Sequence, residues 1–350
     1  MTGPSIGIPQ DQTMRTRPGP PPQPGPPPAV TVADLTEPAT SGETLEIADW
    51  DLVKLASPGL RARRVIVRLE GAMLVYHRTN LRVRTRTTMA QGLVGYGTCG
   101  PGGKGSSVNG LLLRPGMMWA AEAGAEIAFV VEPGYESVFA AFTPEEMRAH
   151  FKGRQRESRL SMPRGAEILQ RDPASVRRLF AWGKRLVSTA ERRPELFNDQ
   201  PETRVTAQVE LLEVLLAALG ATTDVKPPRR DDTRRAQSRI VKDAEGYAMA
   251  HMGDRLYVTD LCKAAGVSER SLQYAFKEIM GMSPLAYLTR VRLHRVRQAL
   301  QAAAPGSTTV SAEALNGGFW HFGEFSRAYR ECFGELPSET LRRAATAWRS

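Results

Sequence analysis

Hydrophobic and polar positions change their period along this chain. From about residue 44 to 145, apolar residues come in short runs that alternate with polar ones. Val65, Val67 and Leu69 are followed by Leu74 and Tyr76, then by Leu81 and Val83. "AEIAFVV" and "YESVFAAF" come later, separated by Glu132-Pro133-Gly134. Period-two runs with turns at Pro115-Gly116 and Pro133-Gly134 predict an antiparallel sheet or barrel. From about 166 the period becomes helical. Val176, Leu179, Phe180 and Val187 fit one helix. Val205, Val209, Leu212, Leu216 and Leu219 step by four, three, four and three before Gly220. That seam suits a helix–helix dimer contact or packing on the chain's own sheet.

The segments between these patterns divide the chain. Residues 1–38 hold 11 of the 25 prolines and read as an extended or disordered tail. Residues 44–165 read as a β-rich domain and 166–221 as helical. "TTDVKPPRRDDTRR", Thr222–Arg235, is polar and charged at both signs, and reads as a linker before a last domain at 236–345. With 350 residues and 41% hydrophobic content, the chain has enough material for several cores.

Charge narrows the choice of partner. The net charge is +10, and residues 234–350 carry 17 Lys and Arg against 11 Asp and Glu, or +6 of that total. A basic C-terminal third favours a polyanion. Cys99, Cys262 and Cys332 are far apart and form no CxxC or Cys/His cluster, so no metal site or cofactor is expected. Sparse cysteines, no apolar run near the roughly 20 residues of a membrane span and no apolar leader fit a cytoplasmic protein.

Within the basic third one organisation occurs twice. "VTDLCKAAGVSERSLQYAFKEIMGMSP", Val258–Pro284, predicts a short helix with Leu261 and Ala265 inward, a sharp turn at Gly266 and a second helix capped by Ser268. Leu272, Ala275, Phe276 and Ile279 anchor that helix, and Gly281 and Pro284 end it. "VSAEALNGGFWHFGEFSRAYRECFGELP", Val310–Pro337, repeats the scheme. Gly318 matches Gly266, Phe325 matches Leu272, Tyr329 matches Phe276, Gly334 matches Gly281 and Pro337 matches Pro284. The spacing of Phe322, Phe325, Tyr329 and Phe333 predicts one buried aromatic face. Between the copies, "LAYLTRVRLHRVRQALQ" has an apolar stripe of Leu293, Val296 and Leu300 among Arg290, Arg292, Arg295 and Arg297. The duplicated pattern is that of a helix-turn-helix.

Residues 238–343 resemble the DNA-binding domain of the AraC/XylS family of bacterial transcriptional regulators. The resemblance is carried by "GVSERSLQYAFKEIMGMSPLAYLTRVRLHRVRQAL" and "GGFWHFGEFSRAYRECFGELPSETLRR". "RLEGAMLVYHRTNLRVRTRT" and the wording of the second copy are also similar to the ethanolamine-operon regulator branch. The resemblance implies an α+β chain: an N-terminal β-rich, cupin-like sensing and dimerising domain, then two helix-turn-helix units on a linker helix. Three positions depart from the family pattern: Glu313 for an apolar residue, Leu336 for a serine and Tyr257 for a capping Ser or Thr.

Two recognition helices on one linker would enter successive major grooves about 34 Å apart. On the first, Arg270, Ser271, Gln273 and Tyr274 lie away from the Leu272/Phe276 anchor. Arg suits guanine O6/N7 and Gln suits adenine N6/N7, each pairing worth about 1–3 kcal/mol of discrimination. On the second, His321, Glu324 and Arg327 face outward, and readout there is expected to rely more on shape. Arg290 and Arg297 are either phosphate neighbours or ion-paired.

The expected function is a DNA-binding transcriptional regulator, an effector-responsive activator. Double-stranded DNA, RNA polymerase, a small-molecule effector and a second copy of the chain are its expected partners. Arg82, Arg84 and Arg86 share one strand face and are candidates to hold an anionic effector, with Tyr76, His77 and Trp119 as candidate pocket linings. The ethanolamine likeness suggests a small amine or alcohol. Alternatives are regulation by a protein partner, or a DNA-modifying enzyme using Cys99. "GYGTCGPGGKGSS" contains a GxGxxG, but "VNGLLLRPG" after it reads as strand, where a phosphate loop needs a helix.

Overall fold

The computed structural model describes residues 27–36, 48–57, 59–152, 162–220, 229–251 and 256–347. Most of the proline-rich run and residues 222–228 of the expected linker lie outside these. Elements are numbered in chain order.

Two antiparallel sheets face each other. The larger has seven strands in the order β1 (Val30–Leu35), β3 (Ala62–Arg68), β4 (Ala72–Thr79), β11 (Tyr135–Phe142), β6 (Val94–Cys99), β9 (Met117–Ala121) and β12 (Ala166–Gln170). The smaller has five in the order β2 (Ala48–Lys54), β5 (Val83–Met89), β10 (Glu126–Val131), β7 (Ser107–Val108) and β8 (Leu111–Leu112).

Alternation along each strand sorts side chains between the two faces. Val65, Val67, Leu74, Tyr76 and Val138 point out of the large sheet and pack on helices α2 (Pro173–Arg192) and α4 (Pro201–Gly220). Ile66, Val75, Trp119 and Ala141 point inward and meet Met89, Val108 and Ile127 from the small sheet. Asp172 starts α2 by accepting the Ser175 N–H at 2.8 Å, with Pro173 at the first helical position. Gly183 brings α2 close to the sheet: a β-carbon there would lie 2.7 Å from Val138 Cγ1. Two short helices, α1 (Pro144–Lys152) and α3 (Glu195–Asn198), complete this half.

The helical half contains α5 (Arg229–Ala250), α6 (Val258–Ala265), α7 (Glu269–Met280), α8 (Pro284–Ala302), α9 (Val310–Asn316), α10 (Phe322–Phe333) and α11 (Pro337–Ala347). One core joins Val241, Leu261, Leu272, Phe276, Tyr287 and Val291. A second joins Leu293, Val296, Leu300, Phe325 and Tyr329. Helix α8 therefore belongs to both cores, its first half to one and its second half to the other.

Three sequence expectations are corrected. The tail drawn to residue 38 includes β1, which pairs with β3 from Val30↔Val67 to Leu35↔Ala62. Its Val-Thr-Val alternation is strand-forming and the prolines stop short of it. The helical segment drawn from 166 opens with β12, paired with β9, before α2 begins. The linker drawn to 235 is helical from Arg229. Its both-sign charges work within and beyond the helix: Arg235 pairs with Asp232 one turn away, and Asp231 is buried against Arg114.

In the seam of α4, Leu212, Leu216 and Leu219 are in the core, while Val205 and Val209 stay 48% and 44% exposed. The seam divides between the chain's own sheet and open surface.

Candidate nucleic-acid interface

The first helix-turn-helix is built from α6 and α7. Gly266 closes α6 at φ +64, a left-handed backbone that glycine adopts without strain, and its N–H donates back to the helix end. Ser268 accepts the Ser271 N–H at 3.3 Å and starts α7. One face of α7 buries Leu272, Ala275, Phe276, Ile279 and Met280. The opposite face exposes Arg270, Ser271, Tyr274 and Lys277, with Gln273 half-buried beside them. These side chains rim one shallow concavity that ends at Ser283. Lys277 is absent from the sequence-derived set. It stands seven residues after Arg270 and three after Tyr274, so helical spacing alone places it on their face.

The second unit repeats this geometry. Thr309 caps α9 by accepting the Ala312 N–H at 3.1 Å, and Gly318 takes φ +77 at the turn. Phe325, Tyr329 and Cys332 are buried, and the Phe319 ring lies 4.9 Å from Phe325. His321, Glu324 and Arg327 are exposed at the start of α10 and along its outer face. A β-carbon at Gly323 would meet nothing within 4 Å. Packing within the chain thus gives no reason for a glycine there.

Phe322 departs from the expected buried face. It is the first residue of α10 and is 44% exposed, beside Trp320 at 57%. The helix starts one turn short of its core, so only Phe325, Tyr329 and Phe333 reach neighbouring rings.

Of the two readings open for Arg297, phosphate neighbour or ion pair, the structure shows the ion pair, and the residue belongs to the core. It is 5% exposed, pairs with Glu335 at 2.7 Å and lies over the Phe333 ring at 4.5 Å. Tyr329 Oη and Thr340 Oγ1 are 2.8 Å apart beside it, and the Thr340 hydroxyl donates to Glu335 at 2.7 Å. This polar group ties α8, α10 and α11 together. Arg290 is half-buried and donates to the Lys54 carbonyl of β2 at 3.4 Å, which places it between the two halves of the chain.

The three family departures have local explanations. The Glu313 carboxylate accepts from the Thr308 hydroxyl at 2.6 Å and stays half-buried at the start of α9. The N–H of Leu336 donates to Glu339 at 2.6 Å, and that of Tyr257 donates to Asp260 at 3.1 Å. In both cases an acidic residue three positions on satisfies the N-cap backbone, as in half of a capping box.

The arginine row of β5 does share one face, but that face meets the helical half. Arg84 and Glu245 of α5 pair at 2.8 Å with side chains 3% and 4% exposed, and the Tyr287 hydroxyl also donates to Glu245. Burial pushes the Tyr287 hydroxyl well above its usual range, helped by the nearby Glu245 charge. Arg86 pairs with Glu126 at 3.0 Å, and Glu126 also meets Lys242 of α5. Arg82 pairs with Glu132 at 2.8 Å and lies against Gly281, the cap of α7. Sequence reveals which residues share a strand face, not what covers it. The same junction seats Val53, Leu55 and Val130 in the first helix-turn-helix core. The N–H of Lys54 donates to His294 Nε2 at 3.1 Å.

Of the other candidates, Trp119 and His77 line a cavity of about 120 Å³ between the two sheets. Tyr76 is on the opposite face of its strand, packed toward α2. Cys99 ends β6, and burial pushes its thiol up to about 11, the reverse of what a nucleophile needs. Gly95 and Gly97 are strand residues that make room for rings: β-carbons there would fall 2.0 Å from Phe139 and 2.3 Å from Trp119. Gly95 and Gly97 therefore serve ring packing within β6, whereas Gly103 and Gly105 take positive φ in the turn that follows. Among the described residues there is no group of acidic, histidine or cysteine side chains that could hold a metal, and no helix long and apolar enough to cross a membrane.

Residues 261–343 match a family model described as a helix-turn-helix domain. The chain is 39% identical over 103 residues to the probable thc operon regulatory protein of Rhodococcus erythropolis, covering 29% of this chain and 31% of that one. It is 39% identical over 88 residues to the XylDLEGF operon transcriptional activator 1 of Pseudomonas putida, covering 25% and 27%. A solved structure of a probable AraC family transcriptional regulator from Rhodopseudomonas palustris CGA009 is 40% identical; 30% of this chain and 96% of that one are covered, at a TM-score of 0.28. The match thus spans between a quarter and a third of the length of the Rhodococcus and Pseudomonas relatives. Through its paired, linker-joined helix-turn-helix units, the chain belongs to the AraC/XylS family of helix-turn-helix transcriptional regulators.

Proposed function

We propose that the chain is an effector-responsive activator of transcription that grips two successive major grooves on one face of DNA. The observation that carries this is the shared helix α8. It contributes to both helix-turn-helix cores, and its 19 residues span about 28 Å. That length suits recognition helices set roughly one turn, about 34 Å, apart. In the first groove Arg270, Gln273 and Tyr274 read base edges, while Ser271 and Lys277 meet the sugar-phosphate backbone. In the second, His321, Glu324 and Arg327 line the contact, Phe322 offers an apolar surface to a thymine methyl, and Gly323 leaves room for close approach.

Activation rests on the relatives, of which the Pseudomonas putida protein is named as an operon transcriptional activator. Effector response rests on the cavity between the sheets and on the buried junction from β5 to α5 and α8. RNA polymerase is the further partner that activation requires. The exposed Val205 and Val209 of α4 are a candidate dimer contact.

Binding of a selected duplex by Arg270→Ala and Lys277→Ala tests the assignment. Arg270→Ala is expected to lose about 1–3 kcal/mol and relax one base preference. Lys277→Ala is expected to weaken all sequences alike and lower the salt slope by about one. Unchanged preference in the first and an unchanged slope in the second would remove both residues from the interface.

A further inference from the structure

We propose that the outer face of α2 is a second DNA-binding surface. It holds the sugar-phosphate backbone of a duplex segment other than the one gripped by the recognition helices, without regard to sequence. The proposal goes beyond the function set out above and uses none of its base contacts.

Charge comes first. Residues 173–193 carry six Lys and Arg against one acidic residue, Glu191. The first 233 residues together are only +4, the +10 of the chain less the +6 of residues 234–350, so the rest of that part has no positive excess. All six cations are exposed. Arg178, Arg185 and Arg192 recur every seven residues, so they form one line along the helix that drifts only about 20° per step. From Arg178 to Arg192 that line rises about 21 Å. A duplex presents one phosphate charge per roughly 1.7 Å of its axis, or about 12 over that length.

Pairing comes second. A helix face that serves only solubility carries both signs and closes them into ion pairs one turn apart. The acidic residue of α2 is engaged elsewhere, since Glu191 accepts from Arg63 at 2.7 Å. Among the described residues, Lys184 is the one cation of the six paired with a carboxylate, Glu136 of β11 at 2.6 Å. Arg178 and Arg192 donate within their own helix, to the Ser175 hydroxyl at 2.9 Å and the Ser188 carbonyl at 3.1 Å. A guanidinium has five N–H donors, so both keep others for a partner.

The class of partner follows from what the face lacks. None of the large apolar side chains of α2 is exposed, and Ala181 and Ser188 stand between the arginines. A protein partner or a membrane surface needs an apolar centre to bury. A phosphate backbone does not, and the planar forks of arginine match its oxygens. Place decides which duplex is held. Helix α2 lies on the large sheet, and both sheets stand between it and the helix-turn-helix half. A segment held on α2 is therefore separate from one lying across α7 and α10. A protein fixed on long DNA keeps such segments at high effective concentration.

The test uses full-length protein saturated with its selected duplex, so that no recognition helix is free, and adds a short fluorescent duplex of random sequence. Anisotropy is expected to show that the second duplex binds. In the triple variant Arg178→Gln, Arg185→Gln, Arg192→Gln its affinity is expected to fall at least about tenfold, and its salt slope by about two to three. Binding of the selected duplex stays within about twofold and reports a folded DNA-binding half. The corresponding triple Lys variant, which keeps the charge, is expected to retain capture. Benzoylphenylalanine in place of Ala181 is expected to crosslink to duplex DNA on irradiation. This crosslink needs no selected duplex, so it tests the surface even where the reading of the recognition helices fails. No second duplex on the saturated protein, unchanged capture in the Gln variant, weakened binding of the selected duplex in that variant, or no crosslink would overturn the proposal. So would tighter binding of poly-glutamate, single-stranded RNA or phosphatidylglycerol vesicles than of the duplex.

Discussion

Arg270 and Arg297 have the same chemistry and opposite fates. Arg270 follows the Ser268 cap on an open helix face, whereas Arg297 is sealed among Glu335, Tyr329 and Phe333. Removing one partner of a buried pair leaves a charge without its counter-charge, at a cost of about 3–5 kcal/mol. Arg297→Ala is therefore expected to lower stability by that amount in urea unfolding, whereas Arg270→Ala leaves stability within about 0.5 kcal/mol. Full stability in the Arg297 variant would mean that the pair is ornamental. His294 supplies a pH effect of known sign. Its ring accepts the Lys54 N–H, and burial holds its protonation down to about 3 against an ordinary value of 6.5. Between those values the unfolded chain binds a proton that the folded chain does not, so stability falls as pH drops from about 6.5 toward 3. Unfolding at pH 7 and pH 4.5 is expected to show a loss that His294→Gln reduces. An identical loss in that variant would assign the effect elsewhere.

At the scale of elements, the helix-turn-helix units were legible because their geometry demands particular residues. A left-handed cap needs Gly266, Gly281 and Gly334, a helix start needs Ser268, and a small core needs the rings of Phe276, Phe325 and Tyr329. Elements whose sequence only permits their structure were harder to read. β1 hides beside prolines, and the first turns of α5 carry charges of both signs that also suit a linker. Phe322 keeps the helical period of its neighbours, but the helix begins with it, which periodicity cannot disclose. In β5 the alternation of Arg84 and Arg86 was plain, yet only folding shows that Glu245 and Tyr287 cover them. That strand has the cavity on one side, through Thr85 and Thr87, and the helical half on the other. A double-mutant cycle on Arg84→Met and Glu245→Leu measures the junction. Each single change is expected to cost about 3–5 kcal/mol, and the double less than their sum, because the second change removes the charge that the first leaves buried. Simple additivity would show that the two groups act apart.

At the scale of the molecule, three layers lie in series. Helices α2 and α4 cover one sheet, the cavity separates that sheet from the second, and the second sheet seats the DNA-binding half through β2, β5 and β10. A residue change on the inner face of β5 therefore has a short mechanical route to α5 and α8. In the proposed function, the basic excess of the last third supplies the electrostatic attraction to DNA and the paired helices α7 and α10 supply register.

The measurement that bears most directly on this account is selection of bound sequences from random duplex DNA by the full-length protein, with footprinting of the winners. The account predicts two short preferred elements about one helical turn apart on one face of the duplex, with the Arg270→Ala footprint altered in one element alone. A single element, or binding without sequence preference that falls steeply with salt, would contradict it.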